Sequence, residues 1–141
     1  MTVNAIATVK TTQKTPDGEN FDIEMMCDAE YIFGKDKCTL KYNEPEGSGL
    51  GKTETTIEFD DDSVTLTRSG DNNSRMYFKK GEKYISVYEM PFGMFTLNIN
   101  TDYVDVSRNE FFAHIVAEYA LALEGIVSSE NKLELDIKRK N

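Results

Sequence analysis

Apolar and polar residues alternate along almost the whole of this chain. Phe21, Ile23, Met25, Cys27, Ala29, Tyr31 and Phe33 share one parity, while Asp22, Glu24, Asp28 and Glu30 share the other. A period of two predicts a long strand with one wet face. Val3, Ala5, Ala7 and Val9 carry a weaker form of the pattern, ended by Pro16-Asp17-Gly18. After Gly34-Lys35, Lys37 to Tyr42 reads as a strand with Cys38, Leu40 and Tyr42 on its apolar parity. With two residues in that loop, Cys38 faces Tyr31 and Cys27 faces Tyr42. Thr53 to Phe59 follows, then Asp60-Asp61-Asp62, then a strand whose inward parity holds Val64, Leu66 and, unexpectedly, Arg68. Gly70-Asp71-Asn72-Asn73 is a turn by composition. In Ser74 to Lys79, Met76 and Phe78 share one parity and Arg75 and Tyr77 the other, and periodicity leaves open which pair is inside.

The next two strands, Tyr84 to Met90 and Met94 to Ile99, fold about Pro91-Phe92-Gly93. A three-residue loop pairs Glu89 with Phe95, Val87 with Leu97 and Ile85 with Ile99, matching an apolar row to an apolar row. A two-residue loop would set Ile85 and Val87 against Asn98 and Thr96. Proline suits the first turn position and glycine the left-handed bulge position, which favours the longer loop. Glu89 then joins Arg68 on the apolar parity, and the two are expected to partner each other or a shared polar ligand. Asn100-Thr101-Asp102 leads to a short strand, Tyr103 to Val106. Glu110 to Glu124 is rich in helix formers. Yet Phe111, Ala113, Ile115, Ala117, Tyr119, Leu121 and Leu123 keep period two, so a strand is expected. Gly125 to Glu130 turns the chain into Lys132 to Ile137, with Leu133, Leu135 and Ile137 inward. The fold class is all-β: an antiparallel up-and-down barrel of about 8–10 strands, because closure removes exposed edges.

Composition narrows what such a barrel can do. At 141 residues the chain is one domain, 1–141, with a core large enough to need no staples. Sixteen Lys and Arg against 25 Asp and Glu give a net charge of −9. That argues against nucleic acid and anionic membrane as partners, since both need basic neutralising groups. Lys138-Arg139-Lys140 reads as a solubilising charged end. No apolar run approaches the ~20 residues of a membrane span. Met1-Thr2-Val3-Asn4-Ala5 lacks the features of a signal peptide, so a cytoplasmic location is expected. In the register above, Cys27 and Cys38 lie about 13 Å apart along the hairpin. A disulfide needs about 7 Å between Cα atoms, so both thiols are expected free. One histidine, His114, and two cysteines on different strands form no recognisable zinc site, and no metal or cofactor is expected. Gly47-Ser48-Gly49-Leu50-Gly51-Lys52-Thr53 lacks phosphate-loop spacing and leads into a strand rather than a helix. Asp60-Asp61-Asp62 lacks the spacing of a calcium loop.

Several motifs read together carry a resemblance. Gly51-Lys52-Thr53-Glu54-Thr55-Thr56, Arg68-Ser69-Gly70, Ser74-Arg75-Met76, Tyr88-Glu89-x-Pro91-x-Gly93 and Ser129-Glu130-Asn131 occur in that order. In this the chain resembles the YwiB-like proteins, small bacterial proteins chiefly of Firmicutes. The likeness spans most of the chain and is densest from Gly51 to Thr101. It implies a calycin-like (lipocalin-type) β-barrel, and it implies no activity, the family being a domain of unknown function. One departure is Ser107-Arg108-Asn109-Glu110-Phe111, where the family pattern implies a glycine-containing turn.

The functional expectation is a non-catalytic barrel that binds a small, mostly apolar molecule. Its candidate lining residues are Tyr31, Tyr42, Arg68, Arg75, Tyr88, Glu89, Phe95 and Tyr119. The alternative is an interaction or assembly module with a filled barrel, monomer or homodimer, pairing through the apolar Phe92–Met94 tip. No nucleophile elbow or metal motif groups Ser, His114 and the acids, so an enzyme is not expected.

Overall fold

Period-two alternation becomes ten strands in the computed structural model, which describes residues 2–46, 48–124 and 127–140 without the side chain of Val127. They are β1 (Thr2–Lys14), β2 (Asn20–Ile32), β3 (Cys38–Asn43), β4 (Thr53–Phe59), β5 (Ser63–Gly70), β6 (Ser74–Lys79), β7 (Lys83–Met90), β8 (Gly93–Arg108), β9 (Phe112–Leu123) and β10 (Val127–Arg139). Gly47, and Gly125-Ile126 in the expected last turn, lie outside the described residues. No helix among those residues is long and apolar enough to cross a membrane.

The sheet is an antiparallel up-and-down barrel, with strand order β6-β5-β4-β3-β2-β1-β10-β9-β8-β7. Its two end strands, β6 and β7, meet through a single bridge. Asn73 and Glu89 exchange backbone hydrogen bonds of 2.8 and 2.7 Å. Lower down, Gly81 donates to the Thr101 carbonyl at 2.9 Å, and Thr101 donates to that of Glu82 at 3.1 Å. Between these clips the Tyr77 and Tyr84 rings lie 5.9 Å apart, and the barrel is nearly rather than fully closed.

One end of the barrel is filled by large side chains. There Tyr31 stacks on Phe59 at 6.4 Å and its hydroxyl donates to the Asn109 carbonyl at 2.8 Å. Arg108 plugs this end. Its Nη1 and Nη2 donate to the carbonyls of Gly34 and Lys35, and its Nε to Asp61 Oδ1, each at 2.9 Å. The turn that follows uses asparagine where the family pattern implies glycine. Asn109 Oδ1 accepts from the backbone N–H groups of Phe111 and Phe112 at 2.8 and 2.9 Å, an Asx turn that fixes the entry to β9.

Three local expectations differ from the structure. Tyr31 faces Leu40 and Ile32 faces Thr39, so the β2–β3 loop holds Phe33 to Lys37 rather than two residues. Inner parity survives, and the wider loop presents the two carbonyls that Arg108 needs; Cys27 and Cys38 are both free. The expected break at Asn100-Thr101-Asp102 is a bulge inside one strand. Thr101 pairs with Tyr119 and Tyr103 with Glu118, which leaves Asp102 over and moves the inward parity from Leu97 and Ile99 to Val104 and Val106.

The third difference bears on function. Met90 pairs with Gly93 and Glu89 with Met94, so the β7–β8 loop has two residues, Pro91 and Phe92. Ile85 and Val87, expected inside, are 69% and 51% exposed, and Tyr84, Ser86 and Tyr88 take the inner side. The bridge from Glu89 to Asn73 closes the barrel, and it outweighs the matching of apolar rows within one hairpin. Glu89 therefore points outward, and the expected pair with Arg68 does not form.

Two outcomes follow for stability. Arg108, only 9% exposed along its side chain, should be costly to lose: Arg108→Met is expected to destabilise by about 2–4 kcal/mol in urea unfolding, through unpaired carbonyls and a lost plug. Glu89→Gln should stay within about 0.5 kcal/mol of the parent, as for a surface change. A loss of several kcal/mol at Glu89 would instead put that carboxylate inside.

Candidate functional site

At the end opposite Arg108 the strands diverge, because β2 pairs with β3 only over Glu30 to Ile32. The β1–β2 hairpin runs on past that point, which leaves Phe21 and Ile23 of the inner parity 50% and 63% exposed. Beneath them the inner faces line an open-mouthed cavity of about 730 Å³. Val9, Met25, Ile57, Leu66 and Leu133 supply apolar walls, and Gln13, Tyr42, Glu44, Arg68 and Tyr88 the polar ones. A smaller space of about 210 Å³ continues past Arg68 and Tyr88 to Phe78, Tyr119 and Asn131.

Glu44 follows β3 and keeps its inward parity after Cys38, Leu40 and Tyr42. It is 8% exposed. Its Oε2 accepts a hydrogen bond of 2.7 Å from the Thr55 hydroxyl, while Oε1 is buried with no partner. The loop beyond it is strapped to the β5–β6 turn. Leu50 O accepts from Thr53 Oγ1 at 2.5 Å and from Asn72 Nδ2 at 2.6 Å, and Lys52 N donates to Asp71 Oδ2 at 2.9 Å. Gly70 makes that approach possible: with φ of +133°, a Cβ there would lie 2.2 Å from the Lys52 carbonyl.

Arg68 sits between Thr55 and Ser74 in the ladder, and its Nε is also buried without a partner. The ion pairs among the described residues all lie elsewhere. Burial pushes the Tyr42 phenol well above its ordinary range; the Glu44 carboxylate adds to the shift and Arg68 opposes it. Burial likewise raises Tyr119 to about 12, again against Arg68. The Cys27 thiol is raised by burial first and then by Glu44 and Asp28. The two charges thus share one neighbour, Tyr42, without forming an ion pair with each other.

Of the eight residues singled out from sequence, Tyr42, Arg68, Tyr88 and Tyr119 come together here. Tyr31 packs at the plugged end against Phe59. Arg75 is exposed opposite Thr67 on the outer face, with Met76 and Phe78 taking the interior. Glu89 is exposed beside Asn73. Phe95 is half-buried against Phe92 at the hairpin tip, 6.2 Å between centroids. Sequence reasoning missed Glu44, Gln13 and Asn131, although each continues the parity of its strand. Gln13 Nε2 and Asn131 Nδ2 both donate to Ser129 Oγ, at 3.1 and 3.0 Å, a polar strip on β1 and β10. His114 lies apart: its Nδ1 is 2.5 Å from Asp136 Oδ1, with both side chains partly exposed. Among the described residues no group of three or more His, Cys, Asp or Glu could hold a metal.

A family model described as "Domain of unknown function (DUF1934)" matches residues 7–135. The crystal structure of the ywiB protein from Bacillus subtilis superposes with a TM-score of 0.87 at 23% identity, over 99% of this chain and 94% of that one. At that identity the likeness establishes the barrel and nothing of its activity. No curated protein matches the chain.

The buried phenols give a pH signature. Each ionises near 10 when unfolded and later when folded, so above pH 10 the unfolded state holds fewer protons. Their contribution to stability is full below pH 10 and is lost as pH rises, for Tyr119 up to about 12. Urea unfolding should show that alkaline decline, with Tyr31, Tyr42 and Tyr119 giving phenolate absorbance late. Ionisation of all seven tyrosines near pH 10 with no loss of stability would mean that these three are wet.

Proposed function

This chain belongs to the family described as a domain of unknown function, DUF1934, and from its interior we propose a non-catalytic, calycin-like carrier that holds one small, mostly apolar molecule. The observation that carries the reading is a cavity with apolar walls whose lining includes Glu44 and Arg68, each with one buried polar atom that has no partner. Its volume falls in the range of about 300–1,000 Å³ usual for ligand sites, which pair apolar linings with a few convergent polar groups. A structural core would satisfy or omit such groups, because each unpaired buried polar atom costs about 1–3 kcal/mol. The absence of catalysis in this reading rests on His114, which is partnered by Asp136 on the outer face, away from the cavity. The free thiols of Cys27 and Cys38 fit a reducing, cytoplasmic setting.

A second reading is favoured by one feature. Ile85, Val87, Phe92 and Met94 are each more than half exposed on one hairpin, which suits contact with a protein partner or a second copy. Light scattering across a concentration series would show a dimer under that reading and a monomer if the patch has no self-contact.

Native mass spectrometry of freshly purified protein tests the carrier. The expected result is a bound small molecule released on denaturation, and one saturable site for the neutral fluorescent probe N-phenyl-1-naphthylamine once it is removed. Neither adduct nor saturable probe binding would sink the proposal.

A further inference from the structure

We infer that the free edge of β2 receives an extended segment of a partner protein, alternating basic and apolar residues, as one more strand. β2 pairs with β1 along its whole length, from Ile32 opposite Thr2 to Asn20 opposite Lys14, without a shift of register. With β3 it pairs only over Glu30 to Ile32. In an antiparallel ladder every second residue turns its N–H and C=O away from a given neighbour. Over residues 20–29 those groups face the gap that β3 has left, and among the described residues no backbone hydrogen bond crosses it. Across the gap, Pro45, Glu46 and Leu50 line the same open cavity as Ile23 and Met25. Proteins ordinarily blunt such an edge with proline, lysine or a bulge, and residues 20–29 have none of the three. Phe21 and Ile23 stand exposed on the inner side of the edge, so an added strand has apolar side chains to cover as well as backbone to bond.

Charge chooses the occupant. The outer side of the edge carries Asp22, Glu24 and Asp28, all exposed, and Glu46 is exposed across the gap. Asp28 is paired with Lys140, whereas Asp22 and Glu24 enter none of the ion pairs among the described residues. A second copy could pair edge to edge, apolar side chains together, only in registers that set acid against acid. Asp22 opposite Asp28 and Glu24 opposite Glu24 are two of them. Like charges directly opposite destabilise a ladder. A segment with lysine or arginine at alternate positions meets the same acids favourably and lays its apolar residues over Phe21 and Ile23.

The test is binding of the peptide acetyl-Lys-Val-Lys-Ile-Lys-Val-Lys-amide to the full chain, read by calorimetry and by amide hydrogen exchange. Saturable binding with slowed exchange across residues 20–29 is expected. A counterpart with glutamate for every lysine should bind at least about tenfold more weakly. N-methylation shows whether the peptide adds as a strand, since only one of its two edges faces β2. Methylating one alternate set of its backbone nitrogens should weaken binding at least about tenfold, and methylating the other set should change it less than about twofold. Asp22→Lys combined with Glu24→Lys should also weaken it about tenfold, with thermal unfolding as the check that the variant folds. No saturable binding, equal effects of the two methylated sets, or slowed exchange confined to other strands overturns the inference. So does a dimer in light scattering whose protected amides are those of residues 20–29, because a second copy then takes the edge.

Discussion

Each strand of this chain has one dry face, and ten of them can bury that face together only by curling the sheet until its edges meet. Everything else follows from how that closure is made. The β1–β10 ladder, ten residue pairs from Ala5–Arg139 to Lys14–Glu130, joins the chain's two ends firmly. The opposite seam, β6 to β7, is joined by one bridge and a clip at Thr101. A closure so unequal fixes the register of β7 from outside its own hairpin. It turns Glu89 and Val87 to solvent and puts Tyr88 at the cavity wall.

The two ends of the barrel are solved differently. At one end Arg108 satisfies two loop carbonyls and Asp61 while Tyr31 and Phe59 fill the space, and a charge there is fully answered. At the other end β2 leaves β3, the walls spread, and the buried Glu44 and half-buried Arg68 each have one buried polar atom unanswered. The same chain thus contains a satisfied arginine and an unsatisfied one. That contrast is what the proposed carrier reading rests on, since functional sites hold unfavourable groups at a cost in stability.

Strands were legible in the sequence because burial on one face imposes period two, and even Phe112–Leu123 kept that signature against its helix formers. Arg68 was legible for the same reason. Hairpin registers were not, where a distant contact sets them. The β2–β3 loop widens to serve Arg108, and the β7–β8 loop tightens to keep the Asn73–Glu89 bridge. Neither partner is visible from within the hairpin. Glu44 was hidden by its company, standing at the head of a glycine-rich run that reads as a solvated loop. Its parity with Tyr42 was the signal. Asp102 could not be read as a bulge because Asn100-Thr101-Asp102 is polar throughout and reads as a turn.

The central claim is that Glu44 and Arg68 are interior charges left unpaired by the protein, rather than a structural pair. A double-mutant cycle with Glu44→Gln and Arg68→Met, read by urea unfolding of ligand-free protein, tests it most directly. Removing an unanswered guanidinium should leave stability unchanged or raise it, with a coupling between the two sites below about 0.5 kcal/mol. Destabilisation of about 3–5 kcal/mol by each single change, largely recovered in the double, would show that the two charges already hold each other and would contradict the account.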